Sequence, residues 1–365
     1  MENFINENSK FVASTRISKS GIYTNFKSVS ECVYNLIGIQ AQYSQFAMLS
    51  IYNRTTNCTL SKIGDLGKNF KLIYSWGQRV TLHMYVIEDW KFINNIYGQR
   101  VNWIKNNIDN YEIKLVDILE KIDVLGKSKK YLSKIEIMNV INHYNSKELM
   151  KWGGILVEAC LNNLLIGVVL EKNKKLYVHK SWINNYEYKN LDNNILILLK
   201  RYYQNYGPAS INDFKHWSGL NKKDFISDFE LLKKDLVSLK VDDEILYMFK
   251  EDYKKYSNQN YVNSKIVMLG KFDPLMVSYS NKEWIVDKDH IKTIWGKGGQ
   301  IAAVIIINNR VVGLWKYKLI KETMTFYITT FKKLSKTSKK QINIQCKKIS
   351  KFYNKEIDKV IYEGE

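Results

Sequence analysis

The chain has 365 residues, 45% of them hydrophobic, enough for one large core or several small ones. Its 56 Lys and Arg against 36 Asp and Glu give a formal charge of +20, which draws polyanions and makes nucleic acid the first partner to weigh; AT-rich coding, which also raises lysine, is the competing explanation. No window is apolar enough to span a bilayer, the first residues lack a signal-like pattern, and Cys32, Cys58, Cys160 and Cys346 have no ligand spacing, which argues against a membrane protein, a disulfide scaffold and a zinc site. The expectation is a soluble cytoplasmic, nucleoid-associated prokaryotic monomer that needs neither metal nor cofactor.

In chain order, Ser28 and Glu31 are spaced as a capping box for a helix through "SECVYNLIGI", and a second helix is predicted to start near Ser44. Between them "GIQAQYSQ", residues 38–45, sets Gln40 and Gln42 either side of one alanine. Two residues apart on a helix diverge, whereas in the extended link that Gly38 and a Ser44 cap favour, both glutamines lie on one side. Carboxamides donate and accept without titrating, so a pair can hold a water in one orientation and stabilise partial charge, but cannot act as a strong base. The plainer alternative is that both satisfy backbone groups at a helix junction. "KLIYSWGQRVTLHMYVI" is predicted as a hairpin turning at Gly77 and Gln78. Its second strand sets Val80, Leu82, Met84 and Val86 on one face and Arg79, Thr81, His83 and Tyr85 on the other, toward a cleft or solvent. These elements compose a first winged-helix module over 1–100.

A second module, 101–190, takes helices from "IEIMNVINHY" and "ELMKWGGILVEACLNN" and a basic-tipped hairpin from "LLIGVVLEKNKKLYVHK", turning at 172–175. In the third, 191–258, Ser210 and Asp213 form a capping-box variant and Gly219 ends that helix. Asn221 is placed to cap the next helix, on which Phe225, Phe229, Leu232 and Leu236 recur at spacings of three and four. Strands then flank the acidic turn of Asp242, Asp243 and Glu244, which would repel phosphates, so this wing is expected to face away from DNA. From 259 to 365 the pattern alternates, with Asn308 and Asn309 suited to a tight turn and a lysine-heavy helix from about Lys336 to Tyr353. The predicted fold is α+β: three tandem winged-helix modules followed by a β-rich, barrel-like C-terminal subdomain.

Candidate DNA contacts are Arg79, His83, Lys172, Lys174, Lys175, Lys222 and Lys223. For His83 the alternative is an orienting hydrogen bond within the wing, and for each lysine an ordinary solvated side chain. Trp76 and Trp217 divide between base stacking and core. "GKGGQ", residues 296–300, lacks the spacing of a phosphate loop and is set aside.

Four stretches, in order, resemble the winged-helix DNA glycosylases of the AlkZ and YcaQ type, which excise alkylated purines and unhook interstrand crosslinks. "LIGIQAQ" is similar to that family's catalytic segment, and "YSWGQRVTLHMYVIEDW" to its Trp-x-x-Arg-Gly-Thr-Leu-His stretch. "YGPASINDFKHWSGL" resembles the opening of its third winged helix, and "KFDPLMVSYSNKEWIV" with "NNRVVGLW" its C-terminal β-region. The resemblance implies that Gln40 and Gln42 position the attacking water and support the sugar cation as the base leaves. A purine alkylated at N7 or N3 departs neutral, so no general acid is needed. Gln42, where one branch has aspartate, is similar to the branch associated with bulky adducts and crosslinks. Three positions depart from the pattern: Val80 and Asn309 replace glycines, and Ala303 stands where proline is common. The competing functions are a non-catalytic winged-helix DNA-binding protein, such as a transcriptional regulator, and an RNA-binding protein.

Overall fold

The computed structural model describes residues 4–98, 115–141, 149, 153–169, 175–183, 193–258 and 265–363. The fold is mixed α+β and packs as two compact units, Met1–Leu60 with Leu196–Glu365, and Ser61–Ile195. The first pair of helices belongs to one unit and the hairpin that follows them to the other.

The discontinuous unit is built on aromatic packing. The helix Asn194–Tyr206 buries Leu198, Leu199, Tyr202, Tyr203 and Tyr206, the three-and-four spacing of an amphipathic stripe. Tyr202 meets Phe214 at 5.2 Å and Trp217 at 4.9 Å, so Trp217 belongs to the core and is not a base-stacking platform. The expected capping box opens the helix Ile211–Ser218, and Gly219 closes it at φ 73°. Asp213 has further partners there: its Oδ1 accepts from the Ser280 hydroxyl, and its Oδ2 from Arg16 at 3.1 Å. Arg16 lies over the Tyr279 ring at 3.9 Å, which docks the helix Ser9–Lys19. Asn221 caps the short turn Lys222–Asp224, and the helix proper begins only at Ile226, four residues later than a cap at Asn221 would suggest.

The acidic turn joins the strands Leu236–Val241 and Glu244–Phe249 as expected, with Asp242 at φ 51°. Their free edge is covered, because the strand Phe4–Asn6 pairs with Leu236–Val241 in parallel. The β-rich region departs from the barrel-like expectation. Its strands run in the order Glu356–Glu363, Thr323–Thr330, Arg310–Ile320, Val304–Ile307, Val267–Leu269, an open five-stranded sheet. Neighbours are antiparallel except Thr323–Thr330 with Glu356–Glu363, a parallel pair whose crossover is the helix Lys336–Phe352. Asn308 and Asn309, at φ 51° and 63°, form the predicted tight turn.

In the second unit the expected hairpins share one sheet. Leu82–Val86, Leu72–Trp76, Leu165–Val169 and Lys175–His179 are antiparallel in that order, with Tyr74 opposite Gly167. The sheet is covered by the helix Gly154–Leu161, whose residues are all buried.

Candidate active site

The glutamines occupy a non-helical link between two helices of the discontinuous unit. Ser28 caps the helix Val29–Asn35, accepting from the Glu31 amide as predicted, while Glu31 accepts from the Lys27 amide at 2.8 Å. The helix ends in two left-handed residues, Ile37 at φ 55° and Gly38 at φ 85°, and the Gly38 amide reaches back to the Val33 carbonyl. The chain then runs extended through Ile39–Gln40 before the helix Ser44–Tyr52 begins. Ile39 and Ala41 are fully buried, Gln40 is 6% exposed and Gln42 is exposed. Tyr43, not Ser44, is the N-cap of the second helix, and it makes no side-chain cap bond.

Both flanks of the link are tied to distant parts of the same unit. The Tyr206 hydroxyl donates to the Leu36 carbonyl at 2.7 Å, and the Tyr353 hydroxyl to the Gln45 carbonyl at 2.6 Å. Phe46 packs edge-on against Trp315 and Tyr317, and its ring lies so close to Gly270 that a Cβ there would meet it at 2.7 Å. Tyr43 stacks on Phe272 at 5.8 Å, with the Lys271 ammonium 5.2 Å from the Tyr43 ring. The segment carrying Lys271 and Phe272 is held by the next residue, Asp273, which is fully buried and pairs with Arg54 through two hydrogen bonds of 2.8 and 2.6 Å. Asp273 also accepts from Ser50, and its other oxygen caps the short helix Pro274–Val277. Sequence reading gave Tyr43, Lys271 and Phe272 no role. The available signal was the conjunction of "QAQY" and "KFDP" among the resemblances, two segments that fold against one another.

The remaining candidates are dispersed. His83 is 4% exposed and Tyr85 beside it is fully buried, so the strand face expected to meet a cleft or solvent is buried at those two positions, while Arg79 and Thr81 on the same face are half-buried. The His83 Nδ1 lies 2.8 Å from the Thr81 carbonyl oxygen, the orienting bond weighed as the alternative. Burial, opposed by that bond and reinforced by the Arg79 charge, pushes its pKa down to about 3, so the ring is neutral near pH 7. Arg79 and Val80 both adopt left-handed backbone, φ 54° and 55°, in the turn after Gly77. Trp76 is 7% exposed and packs by Gly153, another core aromatic. Lys175 begins its strand with its ammonium 5.9 Å from the Tyr74 ring. Lys222 and Lys223 are exposed. Lys172 and Lys174 lie outside the described residues. Among the described residues, no three His, Cys, Asp or Glu side chains group as a metal site, and no helix is long and apolar enough to cross a membrane.

Residues 180–352 match the family described as DNA glycosylase AlkZ-like. The interstrand DNA cross-link repair glycosylase of Streptomyces sahachiroi is 20% identical over 307 residues, covering 79% of this chain and 82% of that protein. The solved structure of the Streptomyces sahachiroi DNA glycosylase AlkZ superposes with a TM-score of 0.81 at 18% identity, covering 98% of this chain and all of the other.

Proposed function

We infer that this chain, a relative of the AlkZ-like DNA glycosylases, is itself a monofunctional DNA glycosylase. Its substrates are cationic purines alkylated at N7 or N3 in double-stranded DNA, bulky adducts and interstrand crosslinks included. The observation that carries the reading is that Gln40 and Gln42 fall in one non-helical link, residues 36–43, outside the reach of a helix ladder and braced on both sides by tyrosine hydroxyls. A strong base is missing from this pair, and the reaction does not require one. In a cationic N7-alkylpurine the bond from the sugar C1′ to the base nitrogen breaks with its electron pair passing to the purine, which leaves neutral. Water supplies the new C1′–O bond and loses its proton to solvent. The carboxamides accept hydrogen bonds from that water and set its dipole against the developing sugar cation.

The three winged-helix modules, over 1–100, 101–190 and 191–258, and the β-rich segment 259–365 are part of this proposal. Arg79, Lys175, Lys222 and Lys223 serve in it as backbone contacts, joined by Lys172 and Lys174. The burial of His83 supports a positioning role within the wing in place of phosphate contact. Neutral bases such as uracil should be left intact, because their departure needs a proton that amides do not supply.

The test is a duplex carrying one N7-methylguanine, incubated with the purified protein and assayed for abasic sites. Wild type should release the base, and Gln40→Ala and Gln42→Ala should each slow release by roughly 10²–10³-fold, the usual effect of removing an oriented dipole. Binding to one preferred duplex sequence without any base release would instead identify a regulator.

A further inference from the structure

Away from the glutamines, at the other end of the helix Ser44–Tyr52, the discontinuous unit has a surface cavity of about 280 Å³. Its polar lining includes Asn25, Asn53, Asn57, Gln345, Lys265 and Lys348, and among the described residues that line it there is no carboxylate. Amides and ammoniums without an acid are a donor-rich set suited to an anion. The loops that shape it are stitched together: the Phe26 amide donates to the Arg54 carbonyl at 2.7 Å, and Asn25 and Asn57 both adopt left-handed backbone, near φ 53°. Lys265 is oriented by donating to the Ile22 carbonyl at 2.8 Å. Burial lowers its pKa, and the charge of Lys348, which lines the same cavity, adds to that.

Lys348 belongs to the helix Lys336–Phe352, "KTSKKQINIQCKKISKF", which has no acidic residue. Ile342, Cys346, Ile349 and Phe352 face inward. Lys336, Lys340, Lys347 and Lys351 are exposed, and at about 100° per residue they fall within an arc of about 60°. They form a ridge about 22 Å long at a rise of about 1.5 Å per residue. Duplex DNA carries about a dozen phosphates over that span.

We propose that the cavity between Lys265 and Lys348 seats a phosphate of the DNA backbone and that Lys336, Lys340, Lys347 and Lys351 continue the contact along the helix. This surface holds duplex DNA independently of the glutamine link. The inference deepens the reading above, since it takes duplex DNA as the partner. A phosphate is recognised by the same chemistry whether it belongs to DNA or is free, and the two sources are separated by the test.

Binding of an undamaged duplex is followed by fluorescence anisotropy over a series of NaCl concentrations. The variants are K336A/K340A/K347A/K351A and K265A/K348A, with thermal melting to confirm folding. Each lost phosphate contact should reduce the slope of log K against log [salt] by about 0.9, so the first variant should lose up to about 3.6 and the second about 0.9. In parallel, amine-modification footprinting of the wild-type protein reads Lys265 and Lys348 with duplex DNA, or with inorganic phosphate at matched ionic strength. Protection by DNA, with smaller slopes in both variants, supports the proposal. Unchanged slopes, or protection by inorganic phosphate without protection by DNA, overturn it. Because the duplex is undamaged, a failure of base release would sink the glycosylase reading and leave this result standing.

Discussion

Arg54 and Asp273 face one another with no exposed surface on either side chain, 219 residues apart in the chain, through two hydrogen bonds of 2.8 and 2.6 Å. Arg54 also donates to the Ser20 and Ser50 carbonyls, so both charges are satisfied where water cannot reach. The pair joins the helix that follows the glutamines to the segment that carries Lys271 and Phe272. Removing one partner strands the other charge. Asp273→Asn or Arg54→Met should lower unfolding free energy by about 3–5 kcal/mol. Urea denaturation followed by circular dichroism reads this, and a loss below about 1 kcal/mol would contradict the account of a fully desolvated pair.

The glutamines should separate stability from activity. Gln42 is exposed, so Gln42→Ala is expected to move the unfolding free energy by no more than about 0.5 kcal/mol while reducing base release. Gln40 is 6% exposed, and Gln40→Ala should reduce both, with a stability loss of about 1 kcal/mol. Comparing melting curves with abasic-site formation for the two variants checks the split. If Gln42→Ala lost stability and kept activity, the junction reading would replace the catalytic one.

Val80 holds φ 55°, a region that β-branched residues avoid, at a position where the resembling family has glycine. Val80→Gly relieves that strain at some loss of chain entropy and should stabilise by about 1 kcal/mol. Thermal melting reads the change, and a lower midpoint for Val80→Gly would show that the valine side chain contributes more packing than its backbone loses.

His83 gives the fold an acid-sensitive element. Its pKa in the folded protein falls to about 3 from an ordinary 6.5, so the unfolded chain binds the proton first as pH drops. The stability associated with the neutral ring is fully present above about pH 6.5 and is lost as pH falls from there toward 3. The limiting slope is about 1.4 kcal/mol per pH unit. Carboxylates titrate in the lower part of that window, so the measurement is the difference between wild type and His83→Gln at pH 7, 6 and 5. A difference independent of pH would contradict the buried, neutral assignment.

Local signals were legible in the sequence where local physics sets the outcome. The Ser210–Asp213 box, the Gly219 stop, the Asn308–Asn309 turn and the extended link around Gln40 and Gln42 each rest on residues within four places of one another. What failed depends on partners far away. Alternation along "RVTLHMYV" marks two faces, but only the surroundings decide that both are covered from His83 to Val86. Nothing within "KLIYSW" announces that its strand pairs with Leu165–Val169 and so joins two hairpins in one sheet. The parallel return of Glu356–Glu363, which leaves the C-terminal sheet open, follows from a crossover helix whose direction no short window contains. Arg54 and Asp273 each read as ordinary charged residues until the fold brings them together.

The brace on Gln45 has a consequence for synthesis. Tyr353 is 308 residues downstream of the carbonyl it holds. At about 5–20 residues per second, a ribosome needs about 15–60 s to bridge that gap. For all that time the nascent glutamine segment waits without its clamp, so competence is conferred on the molecule late, only once the segment around Tyr353 has emerged.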